Sequence, residues 1–351
     1  MVMRVVRRKI RSAIGRFNKL DFVQFAIRGR ILPFRVRRVA GPDSFDAGPD
    51  DVVVISVMRN GRKYLMPFLR HHRALGITKF VILDNGSTDG SIEFLSKQPD
   101  VTLLQTDAPY HAYENTMKRY LAERFCRNAW CLCVDVDELF EFPRSAQMKL
   151  TDLIGYLNER KFNAVITQML DMFSDAPLKN STLNPASDLV DQFPFYDLSW
   201  IKKTIYTFGE VLDWSLMMHH GGVRWMIFGT WNGLTKVSLF RMDGKIKPFV
   251  YWHHTKNARL ADISCVLLHF PFVDSFYAKV MEAVESGRYG HLTTGEYNSY
   301  AARLLKDPDL SMRGSDARRL QSIDELVDAD FLVESADYRE WALSRSAHSE
   351  P

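Results

Sequence analysis

The chain has 351 residues, 46% of them apolar and 25% charged, with 46 Lys and Arg against 42 Asp and Glu. That balance suits a globular protein of one large or two smaller domains and excludes global disorder. The four cysteines, Cys126, Cys131, Cys133 and Cys265, are too few for a disulfide scaffold and lack zinc-site spacing, so they read as reduced core residues.

Residues 1–39 hold twelve Lys or Arg and one acid, Asp21, so the net +4 divides into +11 on a basic arm and −7 on the rest. Met3, Val6, Ile10, Ala13, Ile14, Phe17 and Leu20 share one side of a helical wheel, and Arg4, Arg7, Arg8, Lys9, Arg11, Arg16 and Lys19 fall outside it. A helix of that kind lies on an anionic membrane surface, so residues 1–38 are expected to hold a cytoplasmic protein peripherally on the inner face of the membrane. The alternative is a helix docked on the protein's own body with a solvated basic face. The arm has no uninterrupted apolar core of a signal peptide, and no segment reaches the roughly 20 apolar residues that span a bilayer. No nucleic-acid-binding motif accompanies the charge, so nucleic acid is not an expected partner.

"GPDSFDAGPDD" (41–51) reads as a linker. The expected division is an arm and linker (1–48), a main domain (49–289) and a polar helical tail (290–351). Within the main domain, "VVVISV" (52–57) is a continuous apolar run of the sort found in strands buried on both faces. Next come a helix over 64–75 despite Pro67, a strand over 79–85, a short helix over 90–97 and a strand over 101–106. A helix over 114–126, a strand over 129–138, a helix over 150–160 and a strand over 163–170 continue the pattern. Strand and helix alternate, which predicts an open α/β sheet. The regularity fades from about residue 172. Residues 260–287 read as strand or helix running into a final helix.

Ligands of open α/β sheets bind at the carboxyl ends of the strands. The first strand ends in Arg59 and Asn60. The second ends in "LDNGSTDGS" (83–91), with Asp84 at its lip and Asn85-Gly86 as a tight turn. The strand over 129–138 ends in Asp135, Asp137 and Glu138. Residues i and i+2 of a strand share a face, so Asp135 and Asp137 are expected to face one site. Paired carboxylates repel unless a cation sits near them, and a hard divalent ion, Mn²⁺ or Mg²⁺, prefers such oxygen ligands. The plainer reading is that these acids end a strand and cap the next segment, with Asp84 a turn former.

"VVVISVMRN", "HHRALGITKFVILDNGSTDGS" and "DVDELF" together resemble glycosyltransferases of the GT-A fold, most of all the family-2-like group of small, non-processive enzymes. The likeness covers about residues 52–285 and extends to "GGVRWMIFG", "LTKVSLF" and "LLHFPF". It implies an α/β, Rossmann-like open mixed sheet flanked by helices. It also implies metal-dependent transfer of one sugar, with inversion, from a nucleotide-sugar donor (a UDP-sugar) to a glycan or lipid-linked acceptor. Asp137 is then the metal ligand, with His269 a second metal or phosphate ligand. Arg59, Asn60, Asp84 and Asp135 lie on the donor side, with Asp84 at the base or ribose. Arg224 contacts phosphate or acceptor, and Asp171 is the first choice for the base, ahead of Asp175 and Glu138. His253 and His254, or His219 and His220, are alternative site histidines, while His71 and His72 on a helix are structural.

Two departures stand out. Many relatives carry an acid after the Asn of the first strand, where this chain has Gly61, and the Q-x-x-R-W motif of processive synthases is absent. Two other readings are open: a sugar nucleotidyltransferase, with Gly61, Arg62 and Lys63 as a faint phosphate loop, and a catalytically inactive membrane-associated scaffold of the same fold.

Overall fold

The computed structural model describes residues 19–208, 215–251, 254–273, 276–286 and 291–346. The apolar runs that read as strands pair with one another. β1 (Val36–Ala40), β2 (Val52–Met58), β3 (Phe80–Asp84), β4 (Val101–Thr106), β5 (Trp130–Cys133), β6 (Glu138–Glu141) and β7 (Ala164–Asp171) all enter one sheet. Three shorter strands lie outside it: β8 (Phe195–Tyr196), β9 (Ile201–Ile205) and β10 (Met217–Gly221). β11 (Thr235–Arg241) rejoins the sheet. β12 (Lys247–Tyr251) and β13 (His254–Lys256) form a separate hairpin, and β14 (Leu260–His269) completes the sheet. A last short strand, β15 (Arg318–Arg319), pairs with β8.

The nine strands run in the order β1-β4-β3-β2-β5-β11-β7-β14-β6. Four neighbouring pairs are parallel (β3 with β4, β2 with β3, β2 with β5, β7 with β14) and the other four antiparallel. This is a mixed α/β protein with helices on both faces of a large central sheet. Alternation along β2 shows how both faces are filled. Val54 joins one apolar cluster with α2 (Arg62–Ala74) and α5 (Leu150–Glu159), whereas Val53, Ile55 and Val57 join another with α4 (Tyr110–Phe125). In chain order the remaining helices are α1 (Lys19–Ile31), α3 (Ser91–Leu95), α6 (Leu189–Gln192), α7 (Val223–Phe228), α8 (Phe276–Ser286), α9 (His291–Lys306), α10 (Asp324–Asp328) and α11 (Ala336–Ser346). α7, α8 and α9 share a third cluster built on Phe228, Phe272, Phe276 and Tyr300.

Three expectations change. The strand expected over 129–138 stops at Cys133, because the Glu138 amide turns back to the Asp135 carbonyl at 3.0 Å. Asp135 and Asp137 therefore lie in a turn, and strand alternation does not orient them. Residues 36–40, expected within the arm, are the sheet's edge strand, and α1 docks on α4. Residues 1–18, where most of the proposed membrane helix falls, lie outside the described residues. Finally, the segment after 290 is helical, but its Leu326, Phe331, Leu332, Tyr338 and Ala342 are buried in the same cluster as α2 and α5. No helix among the described residues is long and apolar enough to cross a membrane.

Candidate functional site

β14 lies between β7 and β6, and its register sets His269 opposite Asp171 on one side and Glu138 on the other. His269 Nδ1 is 2.6 Å from Asp171 Oδ1, while Arg224 Nε donates to Asp171 Oδ2 at 2.7 Å. Burial works against charge on Asp171, but Arg224 and then His269 outweigh it and hold the carboxyl below the usual carboxylate range. An ionised carboxylate only accepts, so Nδ1 carries the proton and Nε2 is the nitrogen left for other work. Nε2 faces Asp137 Oδ2 at 3.8 Å. The chain of contacts extends outward, since Arg224 Nη1 lies 3.5 Å from Glu296, which also accepts from the Tyr300 hydroxyl. Lys279 Nζ approaches Asp137 Oδ2 at 3.7 Å.

The expected base role for Asp171 does not fit this arrangement. Asp171 is buried, both its oxygens are occupied, and it is held ionised by a buried guanidinium, so it positions His269. Asp175 is on the surface, 3.5 Å from Arg313. Glu138 is buried, accepts from Lys236 and caps the Asp135 amide at 3.0 Å, which makes it part of the turn.

Asp135 faces a different way from Asp137. Lys236 Nζ lies 3.5 Å and Lys118 Nζ 3.8 Å from its carboxylate, and both lysines are buried. Burial opposes the charge on Lys236, but Glu138 and Asp135 outweigh it and raise the pKa; Lys118 is raised in the same way by Asp135 and Glu114. Neither lysine was foreseen. Lys118 stands beside Arg119 in a helix and Lys236 near the start of a largely apolar strand that ends in Arg241, and nothing in their local sequence marks them.

The loops after β2 and β3 are tied together by side chains. Asn60, at φ 54°, donates its amide to Ser87 Oγ at 2.8 Å and accepts from the Thr88 amide at 2.9 Å. Asp84 is fully buried and accepts from the amides of Gly86 and Ser87 and from Gln105 Nε2, at 3.0 to 3.3 Å. It shapes the turn, and Gln105 and Asn85 face the open space beside it. That space is a cavity of about 710 Å³ lined by Phe34, Arg37, Arg59, Gly86, Gln105 and Tyr110, among others. Arg59 is exposed there. The departure at Gly61 has a steric cause: a Cβ at this position would meet Val136 Cγ2 at 2.9 Å and Met58 Cε at 3.2 Å. The turn that carries the acids fills the room an acidic side chain would need.

Beyond Arg224 lies an aromatic surface. Gly221, at φ 87°, lets the chain pass where a Cβ would meet the Trp200 carbonyl at 2.8 Å and the Trp225 ring at 2.9 Å. Trp225 packs edge-on to Trp231 at 4.5 Å and to Trp200 at 5.7 Å, and Trp231 stacks on His220 at 5.6 Å. Trp231 and Trp200 are exposed. His219 is buried against Phe331, away from this surface, and its pKa is lowered to about 3, first by burial and then by Lys203. His71 and His72 are structural, bonding the Phe140 and Phe68 carbonyls at 2.8 and 2.9 Å. His253 lies outside the described residues.

The donor chemistry of Asp137 and His269 suits a divalent ion. Oxygen and imidazole ligands bind at about 2.0–2.2 Å, so one ion spans up to roughly 4 Å between two ligand atoms. A ligating histidine typically donates its other N–H to a carboxylate, as His269 does to Asp171. Among the described residues no three His, Cys, Asp or Glu side chains converge to hold a metal by themselves. No protein-family model matches the chain, and no curated protein matches it.

Proposed function

We propose that the chain is a metal-dependent glycosyltransferase of the GT-A type. It moves one sugar, with inversion, from a nucleotide-sugar donor, a UDP-sugar, to a glycan or lipid-linked acceptor. The observation that carries this reading is the aligned set Asp137, His269, Asp171 and Arg224, gathered at the ends of β7 and β14 and just beyond β5. Asp137 and His269 would hold Mn²⁺ or Mg²⁺, which when bound neutralises charge developing on a diphosphate leaving group.

The chain's own residues do the rest. Arg224 keeps Asp171 ionised. Asp171 keeps the proton on His269 Nδ1 and so turns Nε2 toward Asp137. Lys118 and Lys236 offset the charge of Asp135 and Glu138, so that two neighbouring acids fold beside Asp137 without mutual repulsion. Arg59 in the cavity offers a guanidinium to a donor phosphate. The aromatic surface of Trp200, Trp225 and Trp231 supports a sugar acceptor, since its flat apolar rings suit the C–H faces of pyranose units.

Calorimetric titration with UDP, GDP, CDP and dTDP, each with Mn²⁺ and with chelator, tests the reading. Tight binding of one nucleotide only in the presence of metal is the expected result. A second reading has its own support: Asp84 and Asp135 are already satisfied by protein groups, as in a binding protein that has lost catalysis. Absence of binding of any nucleotide by the folded chain would favour that reading over the first.

A further inference from the structure

The helix α1 and the turn after it (Leu32–Arg35) have two unlike sides. On one, Arg28 donates to the Ala112 carbonyl at 2.8 Å and lies over Tyr113, and Leu32 is completely buried. These contacts fix the segment to α4. On the other side Ile27, Ile31 and Phe34 are 50%, 42% and 92% exposed. Spacings of four and three place them together on one side of the helix and its turn. Val39 of β1 is exposed as well, and exposed Arg30, Arg37 and Arg38 accompany the apolar residues. A cluster of apolar side chains left open to water on a rigid, docked element marks an interaction surface.

Charge selects the partner. The 18 residues leading into α1 hold six Lys or Arg and no acid, and residues 19–38 hold six more with only Asp21 against them. A second copy of the chain would bring two such arms together at a cost in repulsion. An anionic surface complements them, and an apolar wedge among arginines suits a bilayer, whose headgroups are charged and whose interior is not.

We infer that this face is a bilayer-docking surface. Phe34, Ile31 and Ile27 enter the boundary between headgroups and acyl chains, and Arg30 pairs with anionic lipid phosphate, while Arg37 and Arg38, held by Gln105 and Asp43, add positive potential around them. Phe34, Arg35, Val36 and Arg37 also line the 710 Å³ cavity, so docking turns the mouth of that cavity toward the headgroups. This inference does not depend on the glycosyltransferase reading.

The experiment is co-sedimentation of the full chain with phosphatidylserine–phosphatidylcholine vesicles and with phosphatidylcholine vesicles alone. The chain is expected to sediment with the first and stay in solution with the second. Phe34→Ser combined with Ile31→Ser should weaken partitioning about tenfold. Arg30→Ser should weaken it about fivefold and blunt its salt dependence. Because these side chains are exposed, the thermal midpoint should not move. A Phe34→Trp variant gives a reading that needs no loss of binding: its added emission should shift to the blue on anionic vesicles and be quenched by brominated lipid. Four results would overturn the inference. One is a wild-type chain that ignores anionic vesicles. Another is a double variant that partitions like wild type. The third is an introduced indole whose emission stays unshifted. The fourth is a wild-type dimer that the double variant abolishes.

Discussion

His269 has one ring nitrogen committed and one free, and the commitment decides what the free one does. Asp171→Asn keeps the shape but removes the charge, so an amide can donate to Nδ1 and move the proton to Nε2. On the proposed function, Mn²⁺ affinity should fall about 10- to 100-fold, as for other partners of ligating histidines, with stability also lowered because buried Arg224 loses its partner charge; equal Mn²⁺ titrations of folded variant and wild type would refute the role. Asp137→Ala should abolish metal-dependent nucleotide binding altogether in the same titration. At Gly61 the constraint is space. Gly61→Glu should cost about 1–3 kcal/mol in denaturant unfolding, from overpacking against Val136 and Met58, and Val136→Ala should recover part of it. The position of His269 was legible because it closes an apolar run, and that of Asp137 because it follows one within three residues. The burial of Asp84 was not, since which amides a turn aspartate takes depends on loop geometry that spacing does not encode. Lys118 and Lys236 were invisible for a related reason: the acids of the turn that they meet, Asp135 and Glu138, lie far from them in the chain.

Among elements, β2 and β4 could be placed almost to the residue, because a strand buried on both faces has to be continuously apolar. By sequence β1 reads as part of the arm because "VRRVA" carries two arginines, the kind of charge that protects a sheet edge from further pairing. By sequence the C-terminal helices read as a polar tail. Their apolar residues are sparse, and periodicity reports a buried stripe without saying what it is buried against. The structure makes this testable. Leu332 is buried in the core shared by α2, α5 and α11, so Leu332→Ala should lower unfolding stability by about 2–5 kcal/mol. A loss under about 0.5 kcal/mol, the size of an ordinary surface change, would mean that the segment is detachable after all.

The molecule as a whole should be sensitive to mild acid. His72 and His219 are buried, and burial lowers both pKa values from 6.5 to about 3. Unfolded, each binds a proton near pH 6.5. Between those values the unfolded chain holds more protons than the folded one, so stability falls as pH drops through that window. The slope should be about 1.4 kcal/mol per pH unit for each histidine. Asp171, held below the usual carboxylate range, adds a loss only at lower pH, below its unfolded value. Thermal midpoints measured from about pH 7 to about pH 4 should fall steadily, and His219→Phe should roughly halve the slope across that range. A flat profile would count against both assignments.

The burial of the C-terminal segment in the core has a consequence in time. Val333 exchanges hydrogen bonds with Ser264, and the Tyr338 hydroxyl reaches the Pro143 carbonyl at 2.8 Å. During synthesis the acids at 135–138 emerge long before Lys236, His269 and the residues that lock β14 in place. A chain stopped partway would hold the loops of the cavity but neither the imidazole nor the lysine that completes the acid cluster. If the proposed function holds, joint capture of metal and nucleotide would therefore await the chain beyond His269, and shorter products would stay silent.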